Sequence, residues 1–253
     1  MLASYGNIAT EDLNGDGVMD LSDSFTYGSV DYRDTPEKFI FASGMNMVDV
    51  GEDDLPYITF YGNEKFIDSL EWTRQVFFGN NHCMFAPDVG CTDLFVSDRE
   101  MITVAEFRNM PVFREMESDF SILPTPKYDE TQPRYYSRTC NVIFSMVPVT
   151  AVDTGKSGVV QEVMSCAGYK TMLPAYIDSA MKNKVARNRE SGDAIQIIYD
   201  TRTLDLAKLY LPSFFDTKMY TVLRAGNSVV SMFEKQRKAI DASLKKVINA
   251  LTE

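Results

Sequence analysis

The sequence has few of the side chains that usually build catalytic or zinc centres. It contains one histidine, His82, and four cysteines, none of them in a CxxC pair. A structural zinc site needs four ligands, and His82, Cys83 and Cys91 supply three at most. Adjacent side chains in a strand point apart, so His82 and Cys83 cannot pair as base and nucleophile. We therefore expect a protein without catalysis.

A basic surplus and a long apolar run are also missing. The chain has 36 acidic and 25 basic residues and a net charge of −11. An acidic surface repels phosphate backbones, so no nucleic-acid partner is predicted. No apolar run approaches the roughly 18 residues of a membrane span. The first six residues lack the basic and apolar regions of a signal peptide.

The cysteines leave the redox compartment undecided. A disulfide between Cys83 and Cys91 would close a short loop in an oxidising environment. Two buried free thiols are the alternative. The spacing of the cysteines does not choose between the two.

The most informative stretch is Asp12–Asp23, which has the spacing of an EF-hand-type calcium loop. Oxygen-bearing side chains occupy loop positions 1, 3, 5, 9 and 12, with Gly17 at position 6. Glycine permits the sharp turn through its access to positive φ. The predicted calcium ligands are the side chains of Asp12, Asn14, Asp16, Asp20 and Asp23 and the backbone carbonyl of Val18.

Position 12 of this loop is Asp23, where glutamate is usual. A shorter carboxylate reaches less easily for bidentate coordination, so we expect affinity in the micromolar-to-millimolar range. The alternative is an Asp/Asn/Gly-rich surface turn that binds no metal.

Hydrophobic periodicity predicts short strands among many helices, which indicates an α/β or α+β fold. Strands are predicted at Met101–Ala105, Phe120–Leu123 and Asn141–Val147. Helices are predicted at Glu37–Ser43, at Glu64–Phe78 after an Asn63 cap, at Gly158–Ala167, from Pro174, from a Ser191 cap, and at the end of the chain. The apolar stripe of this last helix is Phe233, Ile240, Leu244, Val247 and Leu251.

Several segments, in this order, resemble extracellular solute-binding proteins of ABC importers, of the carbohydrate-binding type found in Gram-positive bacteria. Asp119–Glu130 is similar to a strand that ends in "LP-x-PK-x" in that family, and Val147–Ala151 to its "VP-x-TA" helix entry. The other segments are the calcium-type loop followed by Tyr27-Gly28, Tyr135–Ser137, Arg187–Ser191, Thr203–Leu206 and the terminal amphipathic helix.

The resemblance implies a periplasmic-binding-protein-like two-lobe fold of type II. Residues 1–140 and 187–253 would form the C-terminal lobe and 141–186 part of the N-terminal lobe, with a hinge near Thr139–Asn141. The front of the N-terminal lobe and a lipoprotein signal would precede this chain in a longer protein. We therefore expect an extracellular, membrane-anchored full-length protein that delivers its solute to an ABC permease.

The resemblance also implies a ligand in the cleft between the lobes. Sugars present apolar C–H faces and a rim of hydroxyls, so a sugar site needs stacking aromatic rings beside polar side chains. The positions that match cleft-lining segments of the family are Phe107, Arg108, Tyr136, Arg138 and Tyr220. Ordinary packing, or a solvated arginine, is the alternative for each of them.

Two other classes of function stay open. A dockerin is a calcium-dependent interaction module with two such loops, each followed by an amphipathic helix, whereas this chain has one loop followed by Ser24–Gly28. A glycan-active enzyme would need paired carboxylates. Glu115–Glu117 and Asp129-Glu130 are the only candidates, and they have the pattern of solvated surface.

Overall fold

The computed structural model describes residues 8–29, 35–78, 83–84, 92–139, 145–183, 185–211, 214, 219–226 and 228–252. Over these residues the protein is a mixed α/β structure with many helices and three small sheets. His82, Cys91 and most of the Asn141–Val147 strand prediction lie outside the described residues. No helix within the described ranges is both long and apolar enough to cross a membrane.

A three-stranded parallel sheet organises the first half of the chain. Its strands are β1 (Phe25–Ser29), β4 (Cys83–Met84) and β5 (Glu100–Val104), in the order β4-β1-β5. Tyr27 of β1 lies opposite Cys83 on one side and opposite Ile102 on the other. Because all three strands are parallel, their carboxyl ends meet at one edge of the sheet. The segment after β5 therefore begins at this edge.

Two smaller pairs of strands lie outside this sheet, and one of them joins segments that are distant in the sequence. Strands β2 (Val48–Val50) and β3 (Pro56–Ile58) form an antiparallel ribbon. Strands β6 (Ser137–Arg138) and β7 (Arg202–Thr203) pair in parallel, with Ser137 opposite Arg202. The β6–β7 pair brings the residues just before position 140 beside those that follow α6.

The helices surround these sheets. They are α1 (Thr35–Ala42), α2 (Glu64–Phe77), α3 (Thr92–Val96), α4 (Met110–Phe113), α5 (Thr154–Ala167), α6 (Arg189–Asp200), α7 (Ala207–Tyr210), α8 (Tyr220–Arg224) and α9 (Val229–Thr252), with a 3₁₀ turn at Phe107–Asn109 and π-helical turns at Gly168–Met172 and Ala175–Lys182.

The largest core cluster joins α1, α2 and α9. The Phe60 ring lies 5.1 Å from Phe66 and 5.1 Å from Phe233, between ring centroids. Phe233, Ile240 and Leu244 are buried, as the apolar stripe of the last helix predicts. Leu251 is exposed, so the stripe contacts the core only in the first part of α9.

The predicted helix starts are partly confirmed. The Asn63 side chain accepts a hydrogen bond from the Phe66 amide at 3.3 Å and caps α2 as expected. The prediction that Ser191 caps a helix was wrong. Helix α6 begins after Asn188, whose side chain accepts from the Ser191 amide at 2.8 Å. Ser191 is buried and its hydroxyl accepts from the Ile122 amide at 2.9 Å.

The hydrogen bond between Ile122 and Ser191 also concerns a strand prediction that the structure contradicts. The strand predicted at Met101–Ala105 is confirmed as β5, one residue earlier. The strand predicted at Phe120–Leu123 is wrong, because these residues are extended but belong to no sheet. The Ile122 amide is satisfied by the Ser191 hydroxyl in place of a neighbouring strand. Phe120 packs its ring against Phe95 and Phe113.

Candidate functional site

A pocket of about 440 Å³ lies at the carboxyl end of β5. One wall is the segment that leaves β5, Ala105 to Arg108, and another is Lys38 near the start of α1. The rest comes from extended residues 120–125, from strand β6 and the adjoining Thr139, and from Ile198 and Arg202. Ligands of open parallel sheets commonly bind outside the carboxyl ends of the strands, which is where this pocket lies.

Three of the five predicted ligand-binding residues line this pocket. They are Phe107 and Arg108 after β5, and Arg138 of β6, which lies thirty residues further along the chain. Aromatic rings of Phe95, Phe113 and Phe120 form an apolar side of the pocket beside them. The polar side includes the hydroxyl groups of Ser121, Thr125, Ser137 and Thr139.

Tyr136 and Tyr220 do not line the pocket. Gly44, at φ +81°, leaves room for the Tyr136 ring, because a Cβ at Gly44 would lie 2.6 Å from Tyr136 Cε2. Tyr136 also stacks with the Arg134 guanidinium, 4.7 Å from the ring centroid. Tyr220 is 8% exposed and packs edge-on against Phe78. Both tyrosines therefore have packing contacts away from this pocket.

The cations Lys38, Arg108 and Arg138 of the pocket take part in two sets of ion pairs. Glu106 Oε2 lies 2.7 Å from Arg108 Nε, and Glu106 Oε1 lies 3.8 Å from Lys38 Nζ. Behind them, Glu37 Oε2 lies 2.7 Å from an Arg138 amino group. Arg138 has only 5% of its side chain exposed, whereas Arg108 has 57%. The buried pairs hold the guanidinium of Arg138 in place, and Arg108 extends into solvent.

The sequence did not single out Lys38, Glu106 or Arg202. Glu106 could have been found, because it precedes Phe107 in the segment that follows a predicted strand. Lys38 and Arg202 reach the pocket from α1 and β7, whose positions depend on tertiary packing. No local pattern marks either of them.

A buried carboxyl lies beside the pocket wall. Glu100, in β5, is 5% exposed, and a Cβ at Gly28 would lie 2.0 Å from its carboxyl carbon. Only a glycine at position 28 leaves room for that group where it lies. Burial raises the pKa of Glu100 from its ordinary 4.5 to about 8, and the neighbouring Thr103 hydroxyl lowers it by less. Glu100 is therefore largely protonated at neutral pH.

The Asp12–Asp23 segment forms a compact loop closed by the Glu11–Ser24 bridge. Gly17 has φ +81°, as its place in the calcium-type spacing predicts. Asp12 accepts hydrogen bonds from the Gly15 and Gly17 amides at 2.7 and 2.8 Å. Asp23 is fully buried and accepts from the Leu13 and Asp20 amides at 3.0 and 2.8 Å. The two ends of the loop are thus joined by carboxylate–amide bonds.

The donor chemistry of this loop fits Ca²⁺, which prefers carboxylate, amide and carbonyl oxygens. In the described part of the chain, however, no three or more His, Cys, Asp and Glu side chains are grouped closely enough to hold a metal ion. The carboxylates are instead occupied by backbone amides, as when Asp16 accepts from Val18 at 2.8 Å. The calcium site remains a prediction. The loop leads into strand β1, whereas a dockerin loop leads into a helix.

The carboxylates considered for glycan hydrolysis lie outside the β5 pocket, and Asp129 lines a second groove. Glu115 pairs with its neighbour Arg114 at 2.8 Å and is exposed. Asp129 accepts from the Thr131 hydroxyl at 2.7 Å, which lowers the pKa of Asp129. Neither residue lines the pocket at β5.

A second, larger groove of about 950 Å³ runs along α2. Trp72 lines it and contacts the Phe39 ring edge-on, with centroids 4.9 Å apart. None of the five predicted ligand-binding residues lines this groove.

Comparisons of the chain with protein-family models, with curated proteins and with solved structures found no match. The functional interpretation therefore depends on the residues and geometry described above. The pocket at the end of β5 is the part of that geometry with the most specific chemistry.

Proposed function

We propose that this protein is the solute-binding component of an ABC importer and captures a carbohydrate or a similar small polar solute without chemical conversion. The observation that carries the proposal is the meeting of Phe107, Arg108 and Arg138 in one pocket at the carboxyl edge of a parallel sheet. The resemblance to solute-binding proteins implies a ligand-binding role for each of these three residues.

The chemistry of the pocket suits a sugar. Phe107 and the neighbouring phenyl rings offer flat apolar surface to the C–H face of a sugar ring. Glu106, Arg108 and the hydroxyl groups of the pocket can exchange hydrogen bonds with sugar hydroxyls. An apolar pocket with a few convergent polar groups is the usual form of a small-molecule site.

In this proposal the protein has two lobes. Residues 1–140 and 187–253 belong to the C-terminal lobe, and residues 141–186 form part of the N-terminal lobe. The β6–β7 pair supports this division, because it places the proposed crossing near Thr139 beside the returning chain. The pocket adjoins the same crossing. In such a protein the solute would be gripped between lobes and passed to the permease of an extracellular, membrane-anchored assembly.

The surface of α5 gives further support. No described residue between positions 145 and 176 is buried, although the segment is rich in apolar side chains. Exposed apolar patches of this kind mark surfaces that pack against other polypeptide. The exposed apolar side chains are Met146, Val149, Val152, Val159, Val160, Val163, Met164, Tyr169 and Met172. We propose that the remainder of the N-terminal lobe covers them.

Solute binding is tested by thermal unfolding of the whole chain against a panel of mono- and oligosaccharides. We expect the melting temperature to rise with one class of sugar, because a ligand that binds only the native state stabilises it. Phe107→Ala should reduce this rise by removing stacking surface. Tyr57→Ala is the matched control, since Tyr57 is a half-exposed aromatic residue of the β2–β3 ribbon outside the pocket.

Two results would contradict the proposal. One is a melting temperature that no saccharide changes. The other is a rise that Phe107→Ala and Tyr57→Ala reduce equally, because binding would then lie elsewhere on the surface.

We further propose that Ca²⁺ binds the Asp12–Asp23 loop and stabilises its folded conformation. The wild-type protein should melt at a higher temperature in millimolar Ca²⁺ than in EGTA, by about 5 °C for a site near saturation. Asp12→Ala and Asp16→Ala should each abolish the difference, since each removes a proposed oxygen ligand. Glu52→Ala, which removes an exposed carboxylate outside the loop, should preserve it. Equal melting temperatures of the wild-type protein in Ca²⁺ and EGTA would remove the calcium assignment.

A further inference from the structure

The charge around the pocket is opposite to that of the whole chain. The protein carries a net charge of −11. Among the described residues that line the pocket, Lys38, Arg108, Arg138 and Arg202 are cationic, and Glu106 is the one carboxylate. The pocket thus concentrates positive charge inside an acidic protein. Such local fields attract ligands of opposite charge.

Among the described residues, two carboxylates near the pocket each face two cations. Glu37 pairs with Arg138 at 2.7 Å but also faces a further cation, Lys208, at 3.7 Å. Glu106 lies between Arg108 and Lys38. Each of the two carboxylates is therefore shared by two cations, and Arg202 adds another positive charge at the rim.

Two of the cations are well placed for a ligand. Arg108 has 57% of its side chain exposed while Glu106 holds its Nε at 2.7 Å. Arg202 is exposed and stacks on the Tyr199 ring, 3.6 Å from the centroid, and its Nε donates to the Tyr199 carbonyl at 2.8 Å. Both guanidinium groups are thereby oriented before any ligand arrives. The planar fork of arginine matches carboxylate and phosphate oxygens.

We propose that the solute is an anionic carbohydrate, a sugar that bears a carboxylate or a phosphate group. This inference rests on the proposed solute-binding function and narrows it. The aromatic side of the pocket takes the sugar ring, and the cationic side takes the oxyanion. A neutral sugar would satisfy the aromatic side and the hydroxyl groups but would offer no oxyanion to the guanidinium groups of Arg108 and Arg202.

The test is isothermal titration calorimetry of the whole chain with matched sugars. Galacturonate is compared with galactose, and glucuronate and glucose 6-phosphate are compared with glucose. We expect at least one anionic sugar to bind about tenfold more tightly than its neutral counterpart, the gain of one charge-assisted hydrogen bond. The advantage should shrink at about 0.5 M salt because ions screen the partly exposed arginines. The uronates and the sugar phosphate distinguish the two sources of the oxyanion.

The variant Arg108→Gln should reduce the ratio of anionic to neutral affinity toward one. Arg114→Gln is a matched control, because Arg114 is similarly exposed and pairs with the adjacent Glu115, outside the pocket. The ratio in Arg114→Gln should equal that of the wild type. A ratio that both variants reduce equally would contradict a role for the pocket.

The outcomes separate the two proposals. Neutral sugars that bind as tightly as their anionic counterparts, or more tightly, would overturn the anionic inference and leave solute binding supported. If none of these sugars binds and no saccharide of the wider panel changes the melting temperature, the proposed function itself fails, and the inference fails with it. Tighter binding of a uronate or of the sugar phosphate supports both.

Discussion

Replacing Glu100 with glutamine is expected to stabilise the protein relative to the wild type as the pH rises toward 8. Burial raises the pKa of the Glu100 carboxyl to about 8 from an ordinary 4.5. Glutamine has nearly the same shape and carries no charge at any pH. The variant therefore keeps the packing against Gly28 and removes the cost of ionisation inside the protein.

The direction of the change in stability with pH follows from the linkage between protonation and folding. Between pH 4.5 and about 8 the unfolded chain loses the Glu100 proton while the native protein retains it. Stability from this group is complete below pH 4.5, declines as the pH rises, and is lost once the native carboxyl ionises near pH 8. The full loss is on the order of 5 kcal/mol, since one pKa unit corresponds to about 1.4 kcal/mol.

The measurement is the melting temperature of wild type and Glu100→Gln from about pH 5 to about pH 9. The difference between the two should grow with pH and reach about 10 °C for a chain of this length. Glu117→Gln controls for the loss of one negative charge, because Glu117 is exposed, and it should follow the wild-type curve. A pH-independent difference for Glu100→Gln would contradict the raised pKa.

Asp205→Ala is expected to be the most destabilising single substitution proposed for this protein. Asp205 is 4% exposed, and its carboxylate accepts from the backbone amides of Met47, Val48 and Ala207, the last two at 3.2 and 2.7 Å. It joins the start of β2 to the start of α7. Alanine leaves three buried amides without this acceptor.

An unsatisfied buried donor costs about 1–3 kcal/mol, and the partners relax in part, so we expect a loss of about 4 kcal/mol. This corresponds to a fall of about 10 °C in the melting temperature. Chemical denaturation at neutral pH measures the free energy directly. Asp205→Asn keeps one carbonyl oxygen as an acceptor and should lose less than alanine does.

Asp193→Ala serves as the control for Asp205→Ala. Asp193 is exposed on α6, and its removal should change the free energy of unfolding by less than about 0.5 kcal/mol. If Asp205→Ala and Asp193→Ala were equally mild, the carboxylate of Asp205 would not be the link between β2 and α7.

Some residues of the β5 pocket could be predicted from the sequence and others could not. Phe107 and Arg108 follow a strand that a short apolar run predicts, so their place at its end is a local consequence. Arg138 came from the resemblance to solute-binding proteins, and it joins them through the pairing of β6 with β7. Lys38 and Arg202 were not foreseen, because α1 and β7 reach the pocket through long-range packing that no local pattern specifies.

What the sequence determined by itself is local. The Asn63 cap, the positive φ of Gly17 and the apolar face of α9 each follow from residue spacing within one loop or a few helical turns. Such features need no knowledge of the rest of the fold.

Tertiary structure decided which hydrogen-bond partner each extended segment would find. Phe120–Leu123 has the composition of a strand, yet its Ile122 amide pairs with the Ser191 hydroxyl of α6. Phe25–Ser29 has mixed composition, yet it became the central strand because β4 and β5 flank it. The same long-range packing assembled the charges of the pocket. Local propensity does not specify such pairings, since an extended segment can satisfy its backbone with any partner that the fold brings within reach.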